Sequence, residues 1–190
     1  MTTRIGRATN NGVTKNPMDV QKALDLIEKS EHLALLFPPE ATIDHLASAE
    51  VLLRTLNLRG KFAGVTEKTK KAPLDAGLFP QLAAAPLLLR EFIISLNTSS
   101  SPVSKLRYEK EGEKLDIVIS PQNSSIRGDA ISFHDGKIEC DAAVSLGISD
   151  AESGSEALGL DPDFFASTPV INIDCALKNA GYGETNLVDP

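Results

Sequence analysis

The chain has 190 residues, 26 acidic against 19 basic, a net charge of −7, and two cysteines, Cys140 and Cys175. Its length suits one domain with a sizeable core, its acidity argues against non-specific nucleic-acid binding by the whole surface, and so few cysteines exclude a disulfide framework. No apolar run reaches the roughly 18–20 residues that span a bilayer, since the longest, Leu82–Leu96, is broken by Pro86, Arg90 and Glu91, and the first residues lack the apolar core of a secretory signal; a cytoplasmic protein with no membrane partner is expected.

Residues 1–16 are polar, with Arg4, Arg7 and Lys15 and no apolar periodicity, which predicts a disordered tail. From Pro17 onward Val20, Ala23, Leu24 and Ile27 recur at helical spacing, and Ser30-Glu31-His32 ends that helix. The apolar run Leu33–Phe37, stopped by Pro38-Pro39, predicts a buried strand. Thr42 opens a second helix with Leu46, Ala49, Leu52, Leu53 and Leu56 on one stripe, closed by Asn57 and Gly60. A short strand over Lys61–Val65 follows, and Glu67–Lys71 reads as a charged, exposed loop.

Phe92–Leu96 reads as another buried strand, and Val103–Ser120 as a hairpin turning at Glu111-Gly112. Ile131–Phe133 and Lys137–Cys140 flank an Asp135-Gly136 turn signal, which predicts a second hairpin. Ala142–Ile148 is a core strand, Glu152–Leu158 a helix, and Val170–Ile173 the strand that delivers Asp174 to its C-terminal end. Strands alternating with helices predict an α/β fold, a mainly parallel sheet flanked by helices with antiparallel hairpin insertions, as a single domain over residues 17–190.

The tips of buried strands in such sheets are where ligands sit, so Asp174 is a candidate functional group. After it come Asn179, an aromatic–glycine turn at Tyr182-Gly183, and Asn186-Leu187-Val188-Asp189. This order resembles the signature of the DHH phosphoesterases, in which a strand ends in Asp-His-His and is followed by Asn, an aromatic–Gly pair and Asn-Leu-Val-Asp; Cys175 and Ala176 stand at the two His positions. The junction from Phe37 to Ala49 resembles the first motif of the same family. There Asp44 takes the second Asp, Leu46 the apolar position and Ser48 the Ser, while Thr42, Ala47, Ala41 and Pro38 hold the first Asp, the Gly, the Pro and the His. A further Asp expected at the end of a middle strand is Gly147 here, with Asp150 just beyond it.

The resemblance, which runs over about residues 24–190, implies a DHH-like domain incomplete at its C-terminal end. In the family, further helices and a second, substrate-gripping domain follow. It implies manganese- or magnesium-dependent hydrolysis of phosphodiesters such as short oligonucleotides or cyclic dinucleotides. Hard ions need several carboxylates and imidazoles converging from different strand tips. The residual metal candidates are Asp44 and Asp174, with Asp150 as a substitute, and the substrate-binding candidates are Asn179 and Ser48. No catalytic residue is assigned. The expectation is an enzyme impaired or inactive alone; the alternatives are a non-catalytic nucleotide-binding or interaction module, or a truncated product completed by a second polypeptide.

The residues themselves leave plainer readings open. Asp44 equally suits a helix start, where an acid complements the macrodipole. His45 is expected to be exposed and to point away from Asp44, because neighbouring helical residues are turned by about 100°. Cys175 is expected as a buried small residue. From Asp141 onward Lys178 is the only base against nine acids, which reads as a solvated acidic face before it reads as a metal-attracting rim. One geometric expectation carries the rest: Asp44 and Asp174 face a shared crevice above neighbouring strands.

Overall fold

A computed structural model describes residues 17–72 and 75–190, the side chains of Pro17 and Met18 excepted. The tail expected over residues 1–16 lies outside the described residues. The chain divides into two compact units, one formed by the residues up to Leu89 together with Glu139–Pro190, the other by Arg90–Ile138.

The first unit opens with α1 (Pro17–Lys29), β1 (His32–Leu36), α2 (Ile43–Leu58), β2 (Phe62–Gly64) and the short helices α3 (Glu67–Lys70) and α4 (Pro80–Ala84). The second unit then contributes β3 (Arg90–Leu96), β4 (Val103–Glu111), β5 (Lys114–Pro121) and β6 (Ile131–Ile138). The chain returns to the first unit with β7 (Ala142–Leu146), α5 (Ala151–Leu158), α6 (Phe164–Ser167), β8 (Val170–Asp174) and β9 (Thr185–Val188).

In the first unit five strands form one parallel sheet in the order β2-β1-β7-β8-β9, which is the α/β architecture expected. The central strands are continuous apolar runs because both their faces are covered. Leu33, Leu35, Val144 and Ile171 pack into a core with Leu46, Ala49, Leu53 and Leu56 of α2. Those four α2 residues recur at spacings of three, four and three, so one stripe of the helix faces the sheet. The chain adds β2 on one side of β1 and later β7 on the other. Between β1 and β7 the strand order reverses, and at such a switch point the loops leaving the strand ends diverge and open a crevice.

The segment expected as a loop at Glu67–Lys71 is instead a turn of helix. Thr66 caps it by accepting from the Thr69 N–H at 3.0 Å, and the buried Thr69 hydroxyl reaches the Phe37 carbonyl at 3.4 Å. Four charged or polar side chains concealed that anchor.

The second unit consists of two antiparallel pairs, β3 with β6 and β4 with β5. Two expectations fail here. Phe92–Leu96 is not a buried core strand: it pairs with β6, and Phe92 is 66% and Ile94 43% exposed. Residues 131–138 are not a hairpin but one strand. Asp135-Gly136 lies where the register slips between Arg90 and Phe92, and Gly136 backs onto Glu91 without room for a Cβ. A glycine at a bulge leaves the same local signal as a glycine in a turn. The β4–β5 hairpin stands as expected, its two-residue turn at Gly112-Glu113 falling one residue later. Among the described residues no helix is long and apolar enough to cross a membrane.

Candidate functional site

The switch point carries a cleft of about 580 Å³. One wall is the first turn of α2, with Thr42, Asp44, His45 and Ser48. The floor is the end of β7, with Leu146 and Gly147. The far wall comes from the ends of β8 and β9, with Asp174, Cys175 and Asp189. The expected geometry holds in its main point: Asp44 and Asp174 border one crevice. Among the described residues, three carboxylates and no lysine or arginine line it.

The α2 wall is built by local capping. Thr42 accepts from the His45 N–H through its hydroxyl, and the His45 Nδ1 accepts from the Thr42 N–H at 3.2 Å, so two otherwise orphaned helical donors are met reciprocally. Asp44, in that first turn, complements the helix dipole. Since Nδ1 accepts, the neutral imidazole carries its proton on Nε2. That nitrogen lies against Gly147, whose φ of +65° and missing side chain together admit the ring. His45 therefore borders the cleft beside Asp44 and is half-buried, contrary to the expectation that it points away. Its ring departs from the direction set by helical rotation because, as a cap, it turns back across the helix start. Cys175 is likewise exposed rather than buried.

Asp174 is the hub of the far wall. Its Oδ1 accepts from the N–H groups of Cys175 at 2.8 Å and Ala176 at 3.1 Å. Its Oδ2 accepts from the Ser149 hydroxyl at 2.9 Å and the Asn179 amide at 2.7 Å. Partial burial pushes its pKa up, but the hydrogen bonds from Asn179, Ser149, Ala176 and Cys175 outweigh that, and the carboxyl sits below the ordinary range. It is a carboxylate whose roughly four acceptor positions are all engaged by its own surroundings.

The other residues of the C-terminal signature continue this network. Asn179 Oδ1 accepts from the buried Asn172 amide at 2.8 Å and from the Gly181 N–H at 2.8 Å. Asn172 also donates to Asn186 at 3.0 Å, and Asn186 closes a ring with both backbone groups of Gly183. Asn179 is thus a brace beneath the loop and is not among the residues bordering the cleft, whereas Ser48 is. Asp150 does not border the cleft either. It is the N-cap of α5, accepting from the Ser153 N–H at 2.8 Å and hydroxyl at 3.1 Å, and those bonds hold its pKa down. The substitute-ligand role expected for it is taken by this cap.

Tyr182 locks the loop to the sheet. Its hydroxyl pairs with Ser145 and donates to the Ile148 carbonyl at 3.0 Å, and its ring meets Phe165 edge-on at 5.1 Å. Burial, reinforced by the charges of Asp174 and Asp150 and opposed by the Ser145 hydrogen bond, pushes its pKa up to about 12. Because the folded state needs the neutral phenol and the unfolded chain ionises near 10, stability falls as pH rises from about 10 through about 12. Tyr182→Phe is expected to cost about 1 kcal/mol at neutral pH and to remove this alkaline slope; urea unfolding at neutral and alkaline pH measures both.

A two-ion metal centre does not fit this donor set. Asp174 has no acceptor position to spare, the His45 Nδ1 serves the helix cap, and among the described residues no group of three or more His, Cys, Asp and Glu side chains converges to hold an ion. No family model matches the chain, and no curated protein matches it. What fold and site define is a class: an α/β protein with a five-stranded parallel sheet and an acidic cleft at its switch point.

Sequence reasoning missed His45 as a cleft residue, and it missed Gly147 as the space that admits the ring. The histidine three residues after Thr42, in the position where a capping box carries its reciprocal acceptor, was the signal available.

Proposed function

We propose that this protein is a DHH-phosphoesterase-like domain that no longer hydrolyses phosphodiesters by itself and that binds a nucleotide together with a divalent cation, manganese or magnesium. The reading rests on one observation, the acidic crevice at the switch point of a parallel sheet, where nucleotide ligands of such folds sit. Asp44 and Asp174 at this crevice disfavour a bare phosphate, so an anionic ligand needs a single cation beside it. The donors to that cation are Asp44 and the ligand's own phosphate oxygens, rather than the committed Asp174. Loss of hydrolysis follows from Asp174: a carboxylate committed to four donors of its own loop has nothing left with which to share a bridged ion pair.

Melting of the protein is the test, with Mn²⁺ alone, a cyclic dinucleotide alone, and both, beside an assay for mononucleotide release. A rise in melting temperature that needs both components, without release, is expected. Release above the protein-free rate overturns the loss of hydrolysis, and no shift in any mixture overturns the binding.

A further inference from the structure

The second unit leaves much of its apolar surface exposed, even where Leu106 and Ile117 share a groove with Phe92 and Ile94 of β3. Leu106 is 65%, Tyr108 78%, Leu115 58% and Ile117 47% exposed, all on one face of the β4–β5 hairpin, and every residue of β4 is exposed. Among the described residues no strand pairs with the outer edge of β4. Two-stranded hairpins are marginal in water, and a long open edge is a template for another strand.

The charges of β4 say which strand. Along its polar face run Lys105, Arg107, Glu109 and Glu111, two bases followed by two acids. When this strand meets an antiparallel copy of itself centred on Tyr108, Lys105 stands opposite Glu111 of the copy, Arg107 opposite Glu109, and the same two pairs recur across the axis. Centring on Leu106 instead sets Lys105 against Arg107, centring on Lys110 sets Glu109 against Glu111, and centring on Arg107 or Glu109 sets that residue against itself. Only the Tyr108 register sets all four charges of this polar face against opposite ones.

The backbone agrees. With Glu111 and Lys114 closing a two-residue turn as a hydrogen-bonded pair, alternation along β4 leaves the N–H and C=O groups of Leu106, Tyr108 and Lys110 on the outer edge. Tyr108 opposite Tyr108, and Leu106 opposite Lys110, are then the pairs that exchange hydrogen bonds, and the ion pairs fall at the closer, non-bonded positions. An edge charged only to repel neighbours would carry one sign; this one reverses sign at its midpoint. Residues 90–138 also hold seven basic and seven acidic side chains, so net charge does not oppose association of the unit with itself.

We propose that the chain forms a two-fold dimer by antiparallel pairing of β4 with β4 of a second copy, centred on Tyr108. The product is a four-stranded sheet, β5-β4-β4-β5, in which one face joins the apolar residues of both copies.

The full chain is tested by sedimentation velocity. The wild type is expected to sediment as a dimer at micromolar concentration. Two charge-block variants, Lys105→Glu with Arg107→Glu and Glu109→Lys with Glu111→Lys, are each expected to self-associate about 10–100-fold more weakly, because like charges then stand opposite, and to form a heterodimer when mixed. A monomeric wild type, or block variants that dimerise as the wild type does, overturns the proposal. A register test covers the case in which a block variant fails to fold: in a Cys175→Ser background, Tyr108→Cys is expected to cross-link on oxidation and Lys110→Cys not to. Equal cross-linking at both positions overturns the pairing.

Discussion

Gly147→Ala is expected to destabilise the protein by about 2–3 kcal/mol, and removing the His45 ring as well is expected to add little to that loss. Two costs combine at this position. The backbone has φ +65°, a conformation that costs a residue with a Cβ about 1–2 kcal/mol. A Cβ there would also fall within the van der Waals radius of the His45 imidazole, against Nε2. Either the end of β7 gives way or the ring leaves, and if the ring leaves, the Thr42–His45 capping box opens, at a cost of about 1 kcal/mol. In Gly147→Ala with His45→Ala, only the backbone cost and the lost cap remain, so the two substitutions should be less than additive by about 1 kcal/mol, the cap cost that each single substitution carries. Urea unfolding of the four proteins in the cycle measures this. Strict additivity would mean that the ring does not lie over the glycine. The same clash makes any side chain at position 147, an Asp included, incompatible with His45 as it stands.

The parts of this fold legible in the sequence are those whose signal is local and whose partners are close in the chain. The stripe Leu46–Ala49–Leu53–Leu56 reads as a helix because its period matches one face, and the helix begins at Thr42 because a hydroxyl there caps it. The central strands read correctly because burial on both sides leaves continuous apolar runs. Where a local signal has two structural meanings, the reading went astray. Asp135-Gly136 can close a hairpin or sit in a bulge, and only the pairing of β6 with β3 decides. Phe92–Leu96 is as apolar as a core strand and lies in an exposed pair. The candidate site followed the same rule. That Asp44 and Asp174 share a cleft follows from strand tips and helix starts in an α/β sheet, whereas the capping turn of His45 and the commitment of Asp174 to four donors depend on side-chain directions that no spacing reveals.

Asp174→Ala is expected to cost about 2–4 kcal/mol, because it strands several donors at once and each donor left unmet costs about 1–3 kcal/mol where water does not replace the carboxylate. The carboxylate ties the residues just beyond β8 to Ser149, which lies beyond β7, and to Asn179, which in turn holds the buried Asn172. Asp174→Asn keeps one acceptor and turns an amide against the Asn179 amide, so a smaller loss of about 1–2 kcal/mol is expected. The pH dependence separates these bonds from mere packing. Folding lowers the Asp174 pKa below its ordinary 3.8, so the stabilisation is fully present above that value and is lost as pH falls through it toward the folded-state pKa. Denaturant unfolding between neutral pH and the acid limb should therefore show the wild type losing stability below about pH 4 more steeply than either variant. Parallel acid limbs in all three proteins would mean that the carboxylate is not held by these donors. Asp174 would then be free to serve as a ligand, which would reopen the cleft to the two-ion centre that its hydrogen bonds oppose.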